Sequence, residues 1–381
     1  MHAQLLTSYK TPEDVSPYTL SEIPLPELTD PNDLLIKVTA ASYCHTDAVL
    51  SFNQMPHLPP SFPHISSHEF AGTVLAHHSQ PSESAKSYIV GTRLGVPGRS
   101  FHPCGKCTEC LQLGQGKYDE VGRDEPGYSV YCPHALNNGL SRAGGFAEYA
   151  VVDARQVVQI PENMSAVETA PLMCAGITIY AALKRCGLKK GERVAIMGAG
   201  GGLGHLGCQF AVHMGLKVVA VDVSDSALSL VRSLKNTKAR IIDARTQTAE
   251  SVVQELGEED DGIQETQDMG VDAVIILPES QQAFDYGIKL LKRHGLCIVV
   301  SFPENGFHIS ANDVVFRDIR IQGSLVGSNA CLKEMIEFAA EKGVRAKLRT
   351  FALEDLNGLV AEYRRGVGGK LVVDMEMGRS G

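Results

Sequence analysis

The chain has 381 residues, a formal net charge of −9, 44% hydrophobic and 21% charged residues, and ten cysteines without a single tryptophan. That length suits two domains, each able to bury its own core without disulfides. The acidic balance lacks the basic footprint that a phosphate backbone needs, so nucleic acid is excluded and a small molecule is the expected partner. No run approaches the ~20 apolar residues of a bilayer span, which predicts no membrane partner. The opening MHAQLLTSYKTPEDVSPY has no leader-like order of basic, apolar and small residues, so the expected location is cytoplasmic. Thiols there stay reduced, and clustered cysteines point to metal.

In chain order, the first 160 residues carry short apolar or alternating runs, DLLIKVTA, FAGTVLA and GGFAEYAVVDARQVVQIP, broken by Pro, Gly and Ser; they predict a β-rich region. From about residue 165 the texture becomes strands alternating with helical periods: RVAIMGA, KVVAVD, DAVIIL and GLCIVVSF. Such alternation predicts βαβ units on a parallel sheet. From about residue 308 a mixed texture returns, with strand RIQGSLVG, helix CLKEMIEFAAEKG and strand GKLVVDM. The terminal parts are therefore expected to form one domain, 1–165 with 308–381, around an inserted domain at 166–307. The polar segments HHSQPSESAKS and ELGEEDDGIQETQD are expected to be solvated loops.

Within the inserted block, RVAIMGAGGGLGHLGCQFAVHMGLKVVAVD reads as strand, glycine turn, helix and second strand. Leu203, Leu206, Gly207, Phe210, Ala211 and Met214 fall at the 3.6-residue period, and Gly215 supplies the stop. The turn is A-x-G-x-x-G from Ala199, with Gly200, Gly201, Gly202 and Leu203 as its candidate cofactor contacts. Gly201 permits close approach to a pyrophosphate, and Gly204 permits tight helix–strand packing. Asp222 ends the second strand, where a carboxylate accepts both hydroxyls of an adenosine ribose. The next cation in sequence is Arg232, so a 2′-phosphate meets repulsion and NAD is favoured over NADP. S-adenosylmethionine sites use a similar turn and acid.

Cys104, Cys107 and Cys110 stand at C-x2-C-x2-C spacing, a thiolate set with no immediate fourth member. Elsewhere Cys44, His45, Thr46 and Asp47 are consecutive, His68 and Glu69 form an H-E pair, and Cys174 lies in APLMCAGITIY. Taken in order, C-H-T-D, H-E-x-x-G, the cysteine cluster, G-G-F-A-E-Y, A-P-L-x-C-A-G-x-T-x-Y and the glycine turn resemble the zinc-containing alcohol dehydrogenases of the medium-chain dehydrogenase/reductase superfamily, over nearly the whole chain.

The resemblance implies an α/β protein in which a Rossmann doubly wound parallel sheet is inserted in a GroES-like β-rich catalytic domain, with the active site in the cleft between them. It implies two zinc ions per chain and NAD, an alcohol or carbonyl substrate, and a homo-oligomer, dimer or tetramer. Cys44, His68 and Cys174 are the implied catalytic ligands, leaving one position open for water or substrate. Asp47 is implied to orient His68, Glu69 to sit behind the metal as an occasional ligand, and Thr46 to carry the alcohol proton to the cofactor ribose. His45 and Lys370 are implied to contact the cofactor phosphates, and Thr178 the nicotinamide end. The family's fourth structural cysteine falls on Tyr118 here, but Cys132 keeps the usual spacing to G-G-F-A-E-Y behind an insertion, so Cys104, Cys107, Cys110 and Cys132 are the implied structural set. Cys186, Cys208, Cys297 and Cys331 are expected to be packing thiols.

Four departures from the family pattern stand out. Ser67 replaces the usual Gly before H-E. Val49 replaces a histidine that passes protons to solvent, so either water reaches the ribose directly or another histidine such as His57 takes the role. Ala227 replaces a ribose-contacting Lys. Pro97 and Gly98 stand where small-alcohol enzymes present a bulky aromatic, which implies a wider pocket and a substrate larger than ethanol. A polyol dehydrogenase commonly has Glu at the place of Cys174, and a non-catalytic dinucleotide-binding relative would have little use for an open metal position.

Overall fold

The computed structural model describes residues 1–378 apart from 12, 13, 15, 56, 100, 112–120, 122, 125, 126, 236 and 261–264; Tyr118 lies outside the described residues. The chain divides into two compact units, Met1–Ile177 with Gly327–Gly381, and Thr178–Val326. No single described helix is long and apolar enough to cross a membrane.

The first unit is built on the strand Asp33–Tyr43, whose neighbours Glu69–His77, Tyr149–Asp153 and Lys370–Asp374 all run antiparallel to it. The seven-stranded sheet continues through Arg93–Pro97 and Val158–Gln159 on one side and Leu348–Phe351 on the other. Alternating positions of the central strand, Leu34, Ile36 and Val38, are buried against Phe70, Val74, Leu94 and Phe146. Each fully buried side chain of this size contributes roughly 1.5–3 kcal/mol. Toward its end the alternation stops, and Ala40 to Tyr43 are all buried. That end delivers Cys44 to a closed environment.

The second unit holds six parallel strands in the order Ala239–Asp243, Lys217–Asp222, Arg193–Met197, Val271–Ile276, Leu291–Val299, Arg320–Gly323. This is the doubly wound order, with its switch point between Arg193–Met197 and Val271–Ile276. Arg193–Met197 is buried along its whole length, as expected of a strand covered on both faces.

The structure differs from four expectations. The return to the first unit falls at residue 327 instead of 308, because Arg320–Gly323 pairs in parallel with Leu291–Val299 and completes the inserted sheet. The earlier division falls after Ile177, within the helix Ala175–Cys186. The acidic segment at 255–268 is not simply a loop: helix Ala249–Glu258 runs into it and buries Leu256, and a 3-10 turn occupies Thr266–Asp268. Likewise Glu83–Lys86 is a short helix that Ser82 caps and Ala85 anchors in the core.

The glycine turn shows why its residues are small. Gly198 and Ala199 both donate to the Val221 carbonyl (2.9 and 3.1 Å), tying the turn to the adjacent strand. A Cβ on Gly204 would lie 2.1 Å from the Gly198 carbonyl oxygen and 2.7 Å from the Ala199 Cα, so helix Gly204–His213 can start there only without a side chain. A Cβ on Gly201 would meet only the Gly198 oxygen, at 3.2 Å. One glycine is required by packing, and the other leaves a surface open to a ligand. Leu206, Gly207, Phe210 and Ala211 are buried as the period predicts, whereas Leu203 and Met214 flank the helix as caps and are partly exposed. Gly204→Ala is expected to lower stability by roughly 1–3 kcal/mol through overpacking, and Gly201→Ala by much less. Urea denaturation midpoints check this, and equal losses at both sites would contradict it.

Candidate active site and metal centres

Three chain segments meet where the central strand of the first unit ends. Helix His45–Ser51 begins directly after it, with Cys44 as its N-cap. Asp47, fully buried in the first turn, accepts the Cys44 amide at 2.8 Å with one carboxylate oxygen. The other oxygen accepts the Ser67 amide at 2.9 Å and lies 3.7 Å from His68 Nδ1. One carboxylate thus joins the two segments that bear Cys44 and His68.

Ser67 adopts φ 71°, the left-handed conformation that glycine tolerates best. Its Oγ donates to the Ser42 carbonyl at 3.0 Å, which helps to hold the serine there. The surrounding glycines are there for backbone proximity. A Cβ on Gly144 would stand 2.1 Å from the Ser67 carbonyl oxygen, and one on Gly145 2.6 Å from the Phe70 side chain. The first two residues of G-G-F-A-E-Y therefore exist to let that strand close over S-S-H-E-F. Gly98 behaves similarly, since a Cβ there would stand 2.2 Å from the His68 Cβ. The absence of a side chain at Gly98 accordingly opens no pocket, because His68 fills the space.

The Sγ atoms of Cys44 and Cys174 and a ring nitrogen of His68 lie within 4.8 Å of one another. His68 Nε2 is 3.2 Å from Cys174 Sγ, and its Nδ1 faces Asp47 without a full hydrogen bond. A hydrogen bond from Cys174 holds the Cys44 thiol well below its ordinary pKa against the effect of burial, with help from Lys370 and His68. The same contact, with burial, pushes Cys174 well up. Burial works to lower the His68 pKa, but Asp47 and Cys44 outweigh it and hold the imidazole well above its usual range. Two thiols and an imidazole sharing protons in a buried pocket fit a thiophilic cation that displaces those protons. Thr46 is partly exposed beside them, its Oγ1 3.9 Å from Cys44 Sγ.

The second cluster brings together the thiols of Cys104, Cys107, Cys110 and Cys132, again within 4.8 Å. Cys132 Sγ is 3.7 Å from Cys104 Sγ and 3.9 Å from Cys107 Sγ. A tetrahedron with Zn–S bonds of ~2.3 Å has edges of about 3.8 Å, so these separations suit a zinc tetrathiolate. The amides of Cys104, Cys107 and Cys110 point at neighbouring sulfurs at 3.3–3.5 Å, and the Lys106 amide first among other contacts lowers the Cys104 thiol to about 6. Burial raises Cys110 to about 12, a cost that a metal would offset.

Glu69 and Lys370 form a buried ion pair that the sequence did not announce. Residue pairing aligns Leu371 with Tyr43, which places the Lys370 ammonium under the end of the central strand. It donates to the Tyr43 carbonyl at 3.1 Å and to Glu69, while the other Glu69 oxygen accepts the Ala175 amide at 3.3 Å. Lys370 is only 4% exposed, so its ammonium faces Glu69 and not solvent, where contact with a phosphate was expected. Burial pushes the Glu69 carboxyl up to about 7 against the pull of Lys370. Burial also works against the ammonium, but Glu69 and Cys44 outweigh it and keep Lys370 charged. His45 is exposed, and its Nδ1 is 2.8 Å from the Tyr363 hydroxyl, a partner not foreseen.

In the second unit, Asp222 meets the glycine turn: its carboxylate accepts the Gly200 amide at 2.9 Å and the Val223 amide at 2.8 Å. Ala227 is buried against Gly200, whose added Cβ would stand 2.4 Å from the Ala227 Cα. Thr178 is 7% exposed in the helix Ala175–Cys186. An acid at the strand end and an open Gly201 fit a dinucleotide. Cys186, Cys208, Cys297 and Cys331 are buried as packing thiols.

Removing one member of the Glu69–Lys370 pair strands a buried charge. Lys370→Met is expected to cost roughly 3–5 kcal/mol, and adding Glu69→Gln to recover more than half of that. Denaturant titrations of the single and double variants decide it; an additive double variant would contradict the pairing.

Family models match both parts of the chain: an alcohol dehydrogenase GroES-like domain at residues 30–162, and a zinc-binding dehydrogenase domain at residues 202–341. The chain is 34% identical to an alcohol dehydrogenase of Geobacillus stearothermophilus over 358 residues, covering 94% of this chain and 95% of that one. It is 33% identical to an alcohol dehydrogenase of a Moraxella species, over 91% and 92% of the two chains. Among solved structures, the alcohol dehydrogenase of Aeropyrum pernix superposes with a TM-score of 0.78 at 27% identity, over 98% of this chain and 100% of that one. With both family models matched in sequence order and the relatives aligned almost end to end, this chain belongs to the zinc-containing alcohol dehydrogenases of the medium-chain dehydrogenase/reductase superfamily.

Proposed function

We propose that the protein interconverts primary or secondary alcohols and the corresponding aldehydes or ketones with NAD(H), using one catalytic and one structural zinc per chain. The observation that carries this reading is the convergence of Cys44, His68 and Cys174 on one point beside Thr46. When bound, the zinc would supply Lewis acidity at the substrate oxygen and the nicotinamide would accept or return hydride. Asp47 fixes the ring of His68, so that Nε2 faces the two thiols. Glu69 stays behind the ligand set, held by Lys370 and the Ala175 amide. Thr46 takes the hydroxyl proton of the alcohol. Asp222, at the edge of the glycine turn, accepts the adenosine ribose hydroxyls.

The onward path of the proton does not use Val49, which is buried and apolar. His57 is exposed on the loop that follows helix His45–Ser51, and it or solvent serves as acceptor. For the substrate, the reading of a ligand bulkier than ethanol rests on Pro97 and on the absence of tryptophan, since Gly98 leaves no extra room. Cys174 in the ligand set favours an alcohol over the polyol alternative. A homo-oligomer is supported by the helix Ala311–Arg317, which buries none of its residues and exposes Val315 and Phe316 next to the edge strand Arg320–Gly323. Ten free thiols, two sets of them clustered, suit the reducing cytoplasm.

Elemental analysis of the protein is expected to give about two zinc ions per chain, and Cys132→Ser to lose one together with thermal stability. A wild-type ratio near one would contradict the four-cysteine assignment. With NAD and a homologous series of alcohols, absorbance of the reduced cofactor should rise, and Thr46→Val should slow turnover by ~10²–10⁴-fold. Inertness of the zinc-loaded protein toward every alcohol and ketone would favour a non-catalytic dinucleotide-binding role.

A further inference from the structure

The sequence order places no cation near Asp222 before Arg232, but the fold brings one from the next strand. Asp222 and Asp243 are register partners at the ends of two adjacent parallel strands. Two residues on, Arg245 turns back over the stretch that follows Asp222. Its Nε and Nη2 pair with the two Asp243 oxygens at 2.9 and 2.7 Å. The same Nη2 reaches Asp225 Oδ1 at 2.5 Å. Asp225 is three residues beyond Asp222 and opens the helix Asp225–Arg232. Arg232, in the last turn of that helix, acts on Asp243 as well, but Arg245 acts on it first and lowers its carboxyl to about 2.

A guanidinium beside the ribose acid is the group that accommodates the 2′-phosphate of NADP in dinucleotide sites. Here it is spent on two carboxylates. We infer that Arg245 is a sequestered phosphate receptor, and that Asp225 and Asp243 are specificity-determining residues that disfavour NADP by occupying it. This rests on the NAD reading of Asp222 and deepens it: repulsion from Asp222 is one half of the discrimination, and capture of Arg245 is the other. The two captures differ in strength. The Asp243 contact is bidentate with a carboxylate 20% exposed, which fixes the guanidinium in place. The Asp225 contact is single, to a side chain 88% exposed, and pairs of that kind contribute little. Asp225 is therefore the releasable half.

Fluorescence titration of the full chain with NADH and NADPH tests this directly, without turnover. The unaltered chain is expected to bind NADH at least ~10-fold more tightly than NADPH, and Asp222→Ser to narrow the gap. Adding Asp225→Ala or Asp225→Asn to Asp222→Ser should tighten NADPH by a further ~3–5-fold and leave NADH within about twofold, with the gain lost at high salt. Arg245→Ala on top should abolish that gain. If NADPH binding does not respond to Asp225, or if the gain survives Arg245→Ala, the inference is wrong while the NAD reading stands. Equal binding of both cofactors by the unaltered chain would defeat the NAD reading and the inference with it.

Discussion

A single buried carboxylate organises the first unit. Asp47 has no exposure to solvent, and taking a carboxylate out of water costs several kcal/mol unless hydrogen bonds replace what is lost. It recovers that cost from the Cys44 and Ser67 amides and from the His68 ring. The consequence is geometric. Cys44 follows one strand and His68 precedes another, and the one acid that satisfies both backbones also aims the imidazole. Cys174 joins from a third segment, whose next amide is anchored on Glu69. Cys44, His68 and Cys174 are thus brought together by hydrogen bonds to two buried carboxylates, those of Asp47 and Glu69.

Close backbone approach is the second constraint, and it explains motifs that carry no chemistry of their own. Ser67 stands in a left-handed conformation with Gly144 against its carbonyl, and Gly98 lies against His68. Each of these contacts leaves no space for a methyl group. The segment is therefore rigid where the ligands need to be placed, as a preorganised site requires. The same logic separates Gly204 from Gly201 in the second unit, where one packs and the other faces outward. Gly98, Gly144 and Gly204 are thus required by close backbone or side-chain packing, whereas Gly201 is not.

Much of this was legible in the sequence because the signals were periodic or clustered. The βαβ block, the helix after the glycine turn, the C-x2-C-x2-C run and the H-E pair all concern residues close in the chain. Cys132 could be joined to its cluster only through its spacing to G-G-F-A-E-Y, and the fold places its sulfur 3.7 Å from that of Cys104. What escaped the sequence depends on pairing between distant segments. Lys370 was implied to reach the cofactor phosphates, yet antiparallel register with Tyr43 buries it against Glu69, 301 positions away. Arg320–Gly323 read as part of the returning domain, yet it is the sixth strand of the inserted sheet, a matter of parallel pairing that local texture does not encode. Leu256 was hidden in an acidic run, and only the helical phase of Ala249–Glu258 turns it inward. Gly98 suggested spare room because a missing side chain does not reveal what fills its place.

The central claim is that two different metal sites coexist in one chain, one closed by four thiolates and one of two thiolates and an imidazole with an open position. Zinc K-edge X-ray absorption on the fully loaded protein measures this most directly, because the averaged first shell counts sulfur against lighter donors. The account predicts an average of about three sulfurs at ~2.3 Å and about one nitrogen or oxygen at ~2.0–2.1 Å per zinc. A shell of four sulfurs alone would leave Cys44, His68 and Cys174 without metal and contradict the account at its centre.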